Sequence, residues 1–419
     1  MRGILHALGG ASLLGVALLW ASPARAEDDK DEVTEETISG RRVGGLDTSS
    51  IEVVEGYALS NDTAGAAYSE RVVRGARVLK TSQDFVHDCV VAIEHLYHRR
   101  YNDAKAGFAA IGARYPSSAA EPVGQVLVWQ ALMLENFDYK YVNQYELASK
   151  RARMELEAAL YQPGNEPWEH FMMAGVLGID SIHTMRKGDF LKALNRGIEA
   201  MKSVAKAQEH APEFVDAWLG DGMFNYWRSV IAMSSRAIPD MGDHRAKGIE
   251  QMQRVEREGI FLAPASTLAL VFTWMEEGDM TKALAHTSKN QRLYPENVVN
   301  NLVHGRVLMY MKRYDESERA FLAVLKQEPK NERVHYYLSR LYMRNRDLPH
   351  ALGSIDRYLA FNLDDETRGY ALYTKGLIEL RLKNLAGAEQ SFAESYRLAR
   401  LDQARTRLES VRKARAAGG

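Results

Sequence analysis

The sequence repeats itself with a period close to 34 residues between Pro264 and Arg400. Small residues recur at spacings of 34, 34 and 37 residues, and a bulkier residue follows each of them four positions later. The small positions are Ala283, Ser317, Ala351 and Ala388, and the bulkier positions are Thr287, Phe321, Ile355 and Phe392. A fixed spacing of this length is the sequence signature of stacked helix–turn–helix units. It predicts four antiparallel helix pairs across residues 264–400.

This stretch resembles the tetratricopeptide repeat (TPR) family. The resemblance implies an all-α fold, an α-α superhelix in which antiparallel helix pairs stack as a right-handed solenoid. It also implies a concave face that is formed by the first helix of every pair, and such surfaces bind peptides or protein segments. Residues 401–419 contain a polar amphipathic helix, which we expect to cap the apolar end of the last repeat.

Repeat equivalence predicts which side chains line the concave face. Residues one repeat apart stack in rows, and these rows contain arginine, tyrosine and methionine, which are enriched at protein interfaces. The candidate partner-binding residues are Arg306, Met309, Tyr310, Tyr336, Arg340, Met343, Arg344, Tyr373 and Arg381. We expect the groove to take an extended segment that carries carboxylates. The alternative is a solvated charged face whose tyrosines and methionines are ordinary core. The Lys/Asn carboxylate clamp of chaperone-binding TPR domains is absent from these rows.

The first 26 residues have the pattern of a cleaved secretory signal. Arg2 supplies a positive start, residues 13–20 form an apolar core, Pro23 breaks the helix, and residues 24–26 place small residues at the cleavage site before Glu27. The apolar core is too short for a comfortable membrane span. The pattern is typical of Gram-negative bacteria, so we predict a periplasmic protein with no transmembrane segment in the mature chain. The alternative is an uncleaved N-terminal anchor.

Composition divides the remaining chain. Seven carboxylates and one lysine occupy residues 27–36, so we expect residues 27–62 to be an acidic, largely disordered linker. Ala104, Phe108 and Pro116 reproduce the repeat spacing, which makes residues 63–263 a divergent helical-repeat region. Residues 264–400 are the four regular repeats, and residues 401–419 are the capping helix and tail.

The divergent region contains a second resemblance. Residues 219–227 and 242–249 are similar to bacterial relatives of the eukaryotic inclusion-body-clearance TPR proteins, in which a Gly-Asp-Arg-x-x-Gly-Leu run opens a helix. Here His244 is inserted between Asp243 and Arg245, and Ile249 replaces the leucine. We expect Asp243 to be the N-cap of the following helix and Gly248 to allow two helices to approach closely.

The charge balance and the motif search narrow the function. Acidic and basic residues number 55 and 54, which argues against a dedicated nucleic-acid binder. The sequence contains no HExxH, GxSxG, CxxC or phosphate-binding loop motif, so we predict no enzyme activity, no cofactor and no metal site. His95 and His98 have ligand-compatible spacing but are interpreted as packing or surface residues. Cys89 lies in an apolar helical run and is interpreted as a small buried residue.

These observations predict a non-enzymatic periplasmic adaptor or scaffold. It would bind a protein or peptide partner on its concave face, within an envelope assembly or transport system. The alternative is a ligand-binding accessory subunit of a periplasmic solute transporter, which an internal pocket lined by Trp218, Tyr226 and Trp227 would favour. An enzyme built on a helical solenoid is a further alternative, which would need ionisable residues clustered in a cleft.

Overall fold

A computed structural model describes residue 46 and residues 68–136, 140–161, 166–187, 189–234 and 242–417. Of these residues, 83% are helical and none lies in a strand. The all-α solenoid of paired helices is therefore confirmed. The predicted signal peptide (residues 1–26) lies outside the described residues, and so does the predicted linker (residues 27–62) apart from Leu46.

The described helices fall into two compact units, which divide between Asn300 and Asn301. The first unit contains α1 (Glu70–Leu79), α2 (Gln83–Tyr97), α3 (Tyr101–Arg114), α4 (Ala120–Asn136), α5 (Val142–Leu160), α6 (Glu166–Arg186), α7 (Phe190–His210), a 3-10 turn (Val215–Ala217), α8 (Trp218–Ser234), α9 (Arg245–Glu258), α10 (Ala263–Glu277) and α11 (Met280–Leu293).

The second unit begins within α12 (Val298–Tyr310). It continues with α13 (Tyr314–Gln327), α14 (Glu332–Arg344), α15 (Leu348–Leu359), α16 (Asp365–Arg381), α17 (Leu385–Ala399) and α18 (Asp402–Ala417). Helix α18 packs on α17 and is the predicted C-terminal cap.

Asp and Asn residues mark the turn between the two helices of a pair. Asp279, Asp347 and Asn384 accept a hydrogen bond from the backbone N–H three residues later and so begin α11, α15 and α17. Each satisfies one of the N–H groups that a helix start leaves without an intrahelical acceptor. The predicted N-cap role of Asp243 is wrong by one position, because His244 occupies the cap and the Asp243 carboxylate accepts from the N–H of Arg245 at 3.0 Å.

The repeat positions found in the sequence are the contacts that hold the helix pairs together. All four small positions and all four bulkier positions are fully buried. A Cβ atom on Gly305 would lie 2.6 Å from the ring of Phe321, and one on Gly376 would lie 2.7 Å from the ring of Phe392. Glycine on the first helix therefore provides the space for phenylalanine on the second.

Aromatic side chains fill the interior of the first unit. Rings are in contact from Tyr115 through Phe85 to Trp168, with centroids 5.0 and 4.8 Å apart. Phe261 continues the series at 5.8 Å from Trp168, and the Phe171 and Phe214 rings lie beside it. We call these six residues the aromatic ladder. Its members come from α2, α6 and three connecting segments, so it joins elements that are far apart in sequence.

A buried carboxylate holds the loop that carries Phe261. Asp216, which is 1% exposed, accepts the backbone N–H groups of Ile260, Phe261 and Leu262, each at 2.7 Å. Burial raises the pKa of Asp216 above its usual value, although the three amide donors act in the opposite direction. On the other side of residues 258–262, Arg71 donates to the carbonyl of Ile260. The loop therefore has one defined position inside the unit.

The first unit also joins its beginning to its end. Tyr294, after α11, donates its hydroxyl to Glu94 of α2 at 3.0 Å, and the side chain of Asn297 donates to the carbonyl of Tyr97 at 3.2 Å. Each pair is 200 residues apart in sequence. The helix stack of this unit thus curves until its first and last repeats are in contact.

Candidate functional site

Five arginines lie on the first helices of the three pairs in the second unit. Arg306 belongs to α12, Arg333, Arg340 and Arg344 belong to α14, and Arg381 ends α16. We call these five residues the arginine face. Four of them were predicted from repeat equivalence. Arg333 was missed, although it precedes Arg340 by seven residues, a spacing that places two residues on the same side of a helix.

The predicted site residues differ in depth. Arg344 and Tyr310 are half-buried, and Arg381 is exposed. The remaining six, which are Arg306, Met309, Tyr336, Arg340, Met343 and Tyr373, are between 0 and 6% exposed. Repeat equivalence identified which positions correspond but gave no information about depth. The tyrosines and methionines of this set are therefore part of the packed interior, and the arginine heads carry the polar character.

Arginines connect neighbouring first helices through aromatic rings. The guanidinium of Arg306 in α12 lies 5.4 Å from the ring centre of Tyr337 in α14. The guanidinium of Arg344 in α14 lies 5.0 Å from the ring centre of Tyr310 in α12. Both distances are within the range of a cation–π interaction, which is worth about 0.5 to 2 kcal/mol depending on solvent exposure. The two stacks hold the guanidinium planes in fixed orientations.

Positive charge is concentrated on the first helices. Among the described residues of the second unit, the buried arginines are Arg306, Arg333 and Arg340, whereas the buried carboxylate is Glu379, which accepts from the hydroxyl of Ser391 at 2.7 Å. The carboxylates of the second helices pair locally with basic residues. Glu316 pairs with Arg313 at 2.7 Å, Glu394 with Arg397 at 2.6 Å, and Glu389 with Arg412 of α18 at 3.0 Å.

The charge of the arginine face does not depend on histidine. Burial lowers the pKa of His304 in α12, and the nearby charge of Arg313 lowers it further. Burial and the charge of Arg357 lower the pKa of His335 in α14 in the same way. Both imidazoles are therefore neutral at pH 7, and guanidinium groups, which stay protonated throughout the physiological range, supply the positive charge.

Comparison with known proteins identifies the repeat. Residues 302–366 match the family model described as tetratricopeptide repeat. The second unit contains tetratricopeptide repeats. Repeats of this kind are protein-interaction scaffolds. The matched residues include α13, α14 and α15 and contain four of the five arginines of the arginine face, namely Arg306, Arg333, Arg340 and Arg344.

Two solved structures are similar to the chain. One is a tetratricopeptide repeat protein from Parabacteroides merdae, with 14% sequence identity and a TM-score of 0.40. The similarity covers 68% of this chain and 98% of that one. The other is the TPR domain of P58(IPK), with 13% identity and a TM-score of 0.26, covering 80% of this chain and 99% of that one. No curated protein matches the sequence.

The aromatic helix α8 packs into the core of the first unit. Tyr226 and Trp227 are almost fully buried, and the hydroxyl of Tyr226 donates to Glu277 at 2.7 Å. A cavity of about 810 Å³ does exist in this unit, but it lies between α3, α4 and α5 and is lined largely by alanine and glycine. The pocket that would favour the transporter alternative is therefore not formed by Trp218, Tyr226 and Trp227 at this cavity.

Residues 219–249, which carry the second family resemblance, have a packing role. A Cβ atom on Gly248 would lie 2.6 Å from the carbonyl oxygen of Gly222 and 2.7 Å from the backbone nitrogen of Tyr226. The predicted close approach at Gly248 is thus confirmed. Arg245, 1% exposed, bridges Asp243 and Glu277. This arrangement explains why the stretch needs glycine and a buried ion pair, while membership of the inclusion-body-clearance subgroup stays a prediction.

The groups considered for chemistry have structural partners. Burial raises the pKa of Cys89, which is 1% exposed, and this confirms the interpretation of a small buried residue with no reactive thiolate. His98 faces Glu296, and Glu94 binds Arg71 and Tyr294. Within the part of the chain that the structure describes, no group of three or more His, Cys, Asp or Glu side chains could hold a metal ion, and no helix is long and apolar enough to cross a bilayer.

Proposed function

We propose that the chain is a non-enzymatic periplasmic adaptor whose tetratricopeptide repeats bind an extended, carboxylate-bearing segment of a partner protein on the arginine face. The observation that carries the proposal is the concentration of guanidinium groups on the first helices, with the carboxylates placed on the second helices. Guanidinium groups bind carboxylates through two parallel hydrogen bonds.

The stacked tyrosines support a peptide as the partner. Arg306 and Arg344 are held by Tyr337 and Tyr310, so less side-chain entropy is lost when each guanidinium binds. Preorganised arginine and tyrosine side chains are the types that contribute most energy at interfaces. Because the cations are arginines and the neighbouring imidazoles are neutral, binding is expected to stay constant between pH 6 and 8 and to weaken as salt screens the charges.

The periplasmic location is part of the same proposal. It rests on the signal pattern of residues 1–26, with cleavage before Glu27. When the full sequence is expressed in a Gram-negative host, we expect the chain in the periplasmic fraction with Glu27 as its N-terminal residue. An uncleaved chain in the cytoplasmic fraction would contradict this. The envelope process that the adaptor serves, either assembly or transport, follows from the identity of the captured partner.

The test of binding compares two double charge reversals. Arg344→Glu with Arg381→Glu changes the accessible arginines of the arginine face. Arg313→Glu with Arg397→Glu makes the same change of charge on exposed arginines of the second helices. Each protein is used as bait for mild crosslinking in periplasmic extract. We expect the first variant to lose at least about 90% of the crosslinked partner and the second to retain it. Equal capture by both variants would refute the role of the arginine face.

A further inference from the structure

The arginine face requires an anionic occupant, and this sequence contains one. Residues 27–36 read EDDKDEVTEE, with seven carboxylates and one lysine. The structure does not describe these residues, so the inference starts from their charge and from their place in the chain. It rests on the proposed function, because it concerns the same binding surface.

Charge complementarity is the first step. Three arginines of the second unit, Arg306, Arg333 and Arg340, are less than 10% exposed. A charge in such surroundings acts through a low effective dielectric and is screened little by salt. Burial by itself would lower the pKa of Arg333, yet the surrounding tyrosines and Glu332 outweigh it and the pKa is raised. The guanidiniums therefore keep their charge and maintain a strong positive potential on this surface.

The chain between the two parts is long enough to impose little restriction. Thirty-one residues separate Glu36 from Tyr68, the residue that precedes the N-cap of α1. An extended chain of that length spans about 100 Å. A tethered ligand is present at an effective concentration of the order of 1 mM when its linker can reach the site. An interaction of only moderate intrinsic affinity is then enough to keep the surface occupied.

The other basic surface of the second unit is a weaker candidate for the same segment. Helix α18 carries several arginines and one lysine, but Arg412 and Arg415 pair with Glu389, and Arg405 pairs with Asp402. Their charge is compensated within the helix or by α17. Lys413, which is exposed on α18, therefore provides a matched control for effects of net charge alone.

We propose that residues 27–36 are an internal ligand of the arginine face, which occupies it in the absence of a partner and which an incoming acidic segment must displace. The seven carboxylates take the place of the partner's carboxylates on the guanidinium groups. The repeat unit is then a regulated receptor, because partner binding releases the N-terminal segment. Partner affinity is lowered by the competing segment, and selection favours partners with more or better placed carboxylates than the segment itself.

The experiment compares the chain beginning at Glu27 with a variant whose seven carboxylates in residues 27–36 are replaced by the corresponding amides. The probe is a fluorescein-labelled synthetic peptide with the sequence of residues 27–36, and its anisotropy is measured at low salt. We expect the amide variant to bind the peptide at least about ten-fold more tightly than the unchanged chain, because its own segment no longer competes. Adding Arg344→Glu and Arg381→Glu should abolish that binding, whereas adding Lys413→Glu should leave it within about two-fold.

Equal affinity of the unchanged chain and the amide variant for the peptide would overturn the proposal, and so would binding that survives Arg344→Glu with Arg381→Glu. Circular dichroism of every variant checks that it is folded, and the single variant Arg381→Glu, at an exposed position, repeats the measurement with less risk to folding. If the peptide does not bind while crosslinked partners still depend on the arginine face, the internal-ligand proposal fails and the adaptor proposal stands. If neither the peptide nor any partner depends on these arginines, both proposals fail.

Discussion

The two units use similar helix pairs to opposite ends. The first unit fills its interior with the aromatic ladder and fixes it with the buried carboxylate of Asp216. The second unit places guanidinium groups on tyrosine rings along its first helices. The difference teaches that the helix-pair contacts, which depend on small residues and phenylalanine, are independent of what the first helices present. One unit uses its side chains for folding, and the other leaves charge for recognition.

The largest effect that would sharpen this comparison is expected from Phe261→Ala. Phe261 is 1% exposed and lies against Trp168, Phe171 and Phe214. Removal of a buried phenylalanine ring leaves a cavity and costs about 3 to 5 kcal/mol of unfolding free energy. Urea unfolding followed by circular dichroism measures the loss. The matched control is Leu147→Ala, at a side chain that is 72% exposed, where the change should stay within about 0.5 kcal/mol. Similar small effects of both would show that the ladder does not stabilise the unit.

A smaller and pH-dependent effect is expected from Glu256→Gln in the first unit. Burial acts to raise the pKa of Glu256, but hydrogen bonds and charges from His286 and Lys289 outweigh it and hold the pKa below its usual 4.5. The ionised carboxylate therefore stabilises the fold above about pH 4.5, and this contribution is lost as pH falls through the lower folded-state pKa. The variant should lose about 2 kcal/mol at pH 7.

The diagnostic result is the pH trend of that difference. The gap in unfolding free energy between the unchanged chain and Glu256→Gln should narrow when pH is lowered from 7 towards 3.5. Glu258→Gln is the control, because Glu258 is partly exposed and pairs only with the equally exposed Arg254 among the ion pairs described. A gap that widens on acidification would contradict the assigned direction of the pKa shift.

The smallest effect is expected from Arg344→Ala on the arginine face. The lost contact is the cation–π stack on Tyr310, which is worth about 0.5 to 1 kcal/mol at a half-exposed site. Arg397→Ala, which removes an exposed ion pair with Glu394, provides the baseline of about 0.5 kcal/mol. Thermal unfolding monitors both. A loss above about 3 kcal/mol for Arg344→Ala would break the comparison, since the arginine face would then serve folding as much as the aromatic ladder does.

The repeat could be predicted from the sequence because its rule is local. Ala283, Ser317, Ala351 and Ala388 each meet a partner helix a dozen residues away, and a period of about 34 makes the rule visible in one chain. Both helix boundaries and pairing follow from such positions together with Asp and Asn caps. The equivalence of the arginine rows could be predicted for the same reason.

The closure of the first unit could not be predicted in that way. Asp216 binds a loop 44 to 46 residues further along the chain, and no periodic pattern connects them. The members of the aromatic ladder come from connecting segments as well as helices, so they share no repeat position. The depth of Arg340 and Tyr336 was also invisible, because spacing tells which residues correspond and says nothing about how closely their surroundings pack.

The closing contacts of the first unit have a consequence for the order of folding. Arg71 finds its carbonyl acceptor 189 residues later, and Glu94 and Tyr97 find their partners 200 residues later. Contacts of such sequence separation form slowly, because a long loop must close before any of them is made. During synthesis the N-terminal helices therefore emerge first and acquire their final neighbours last. The helix pairs of the second unit, whose contacts are local, can assemble as each pair leaves the ribosome.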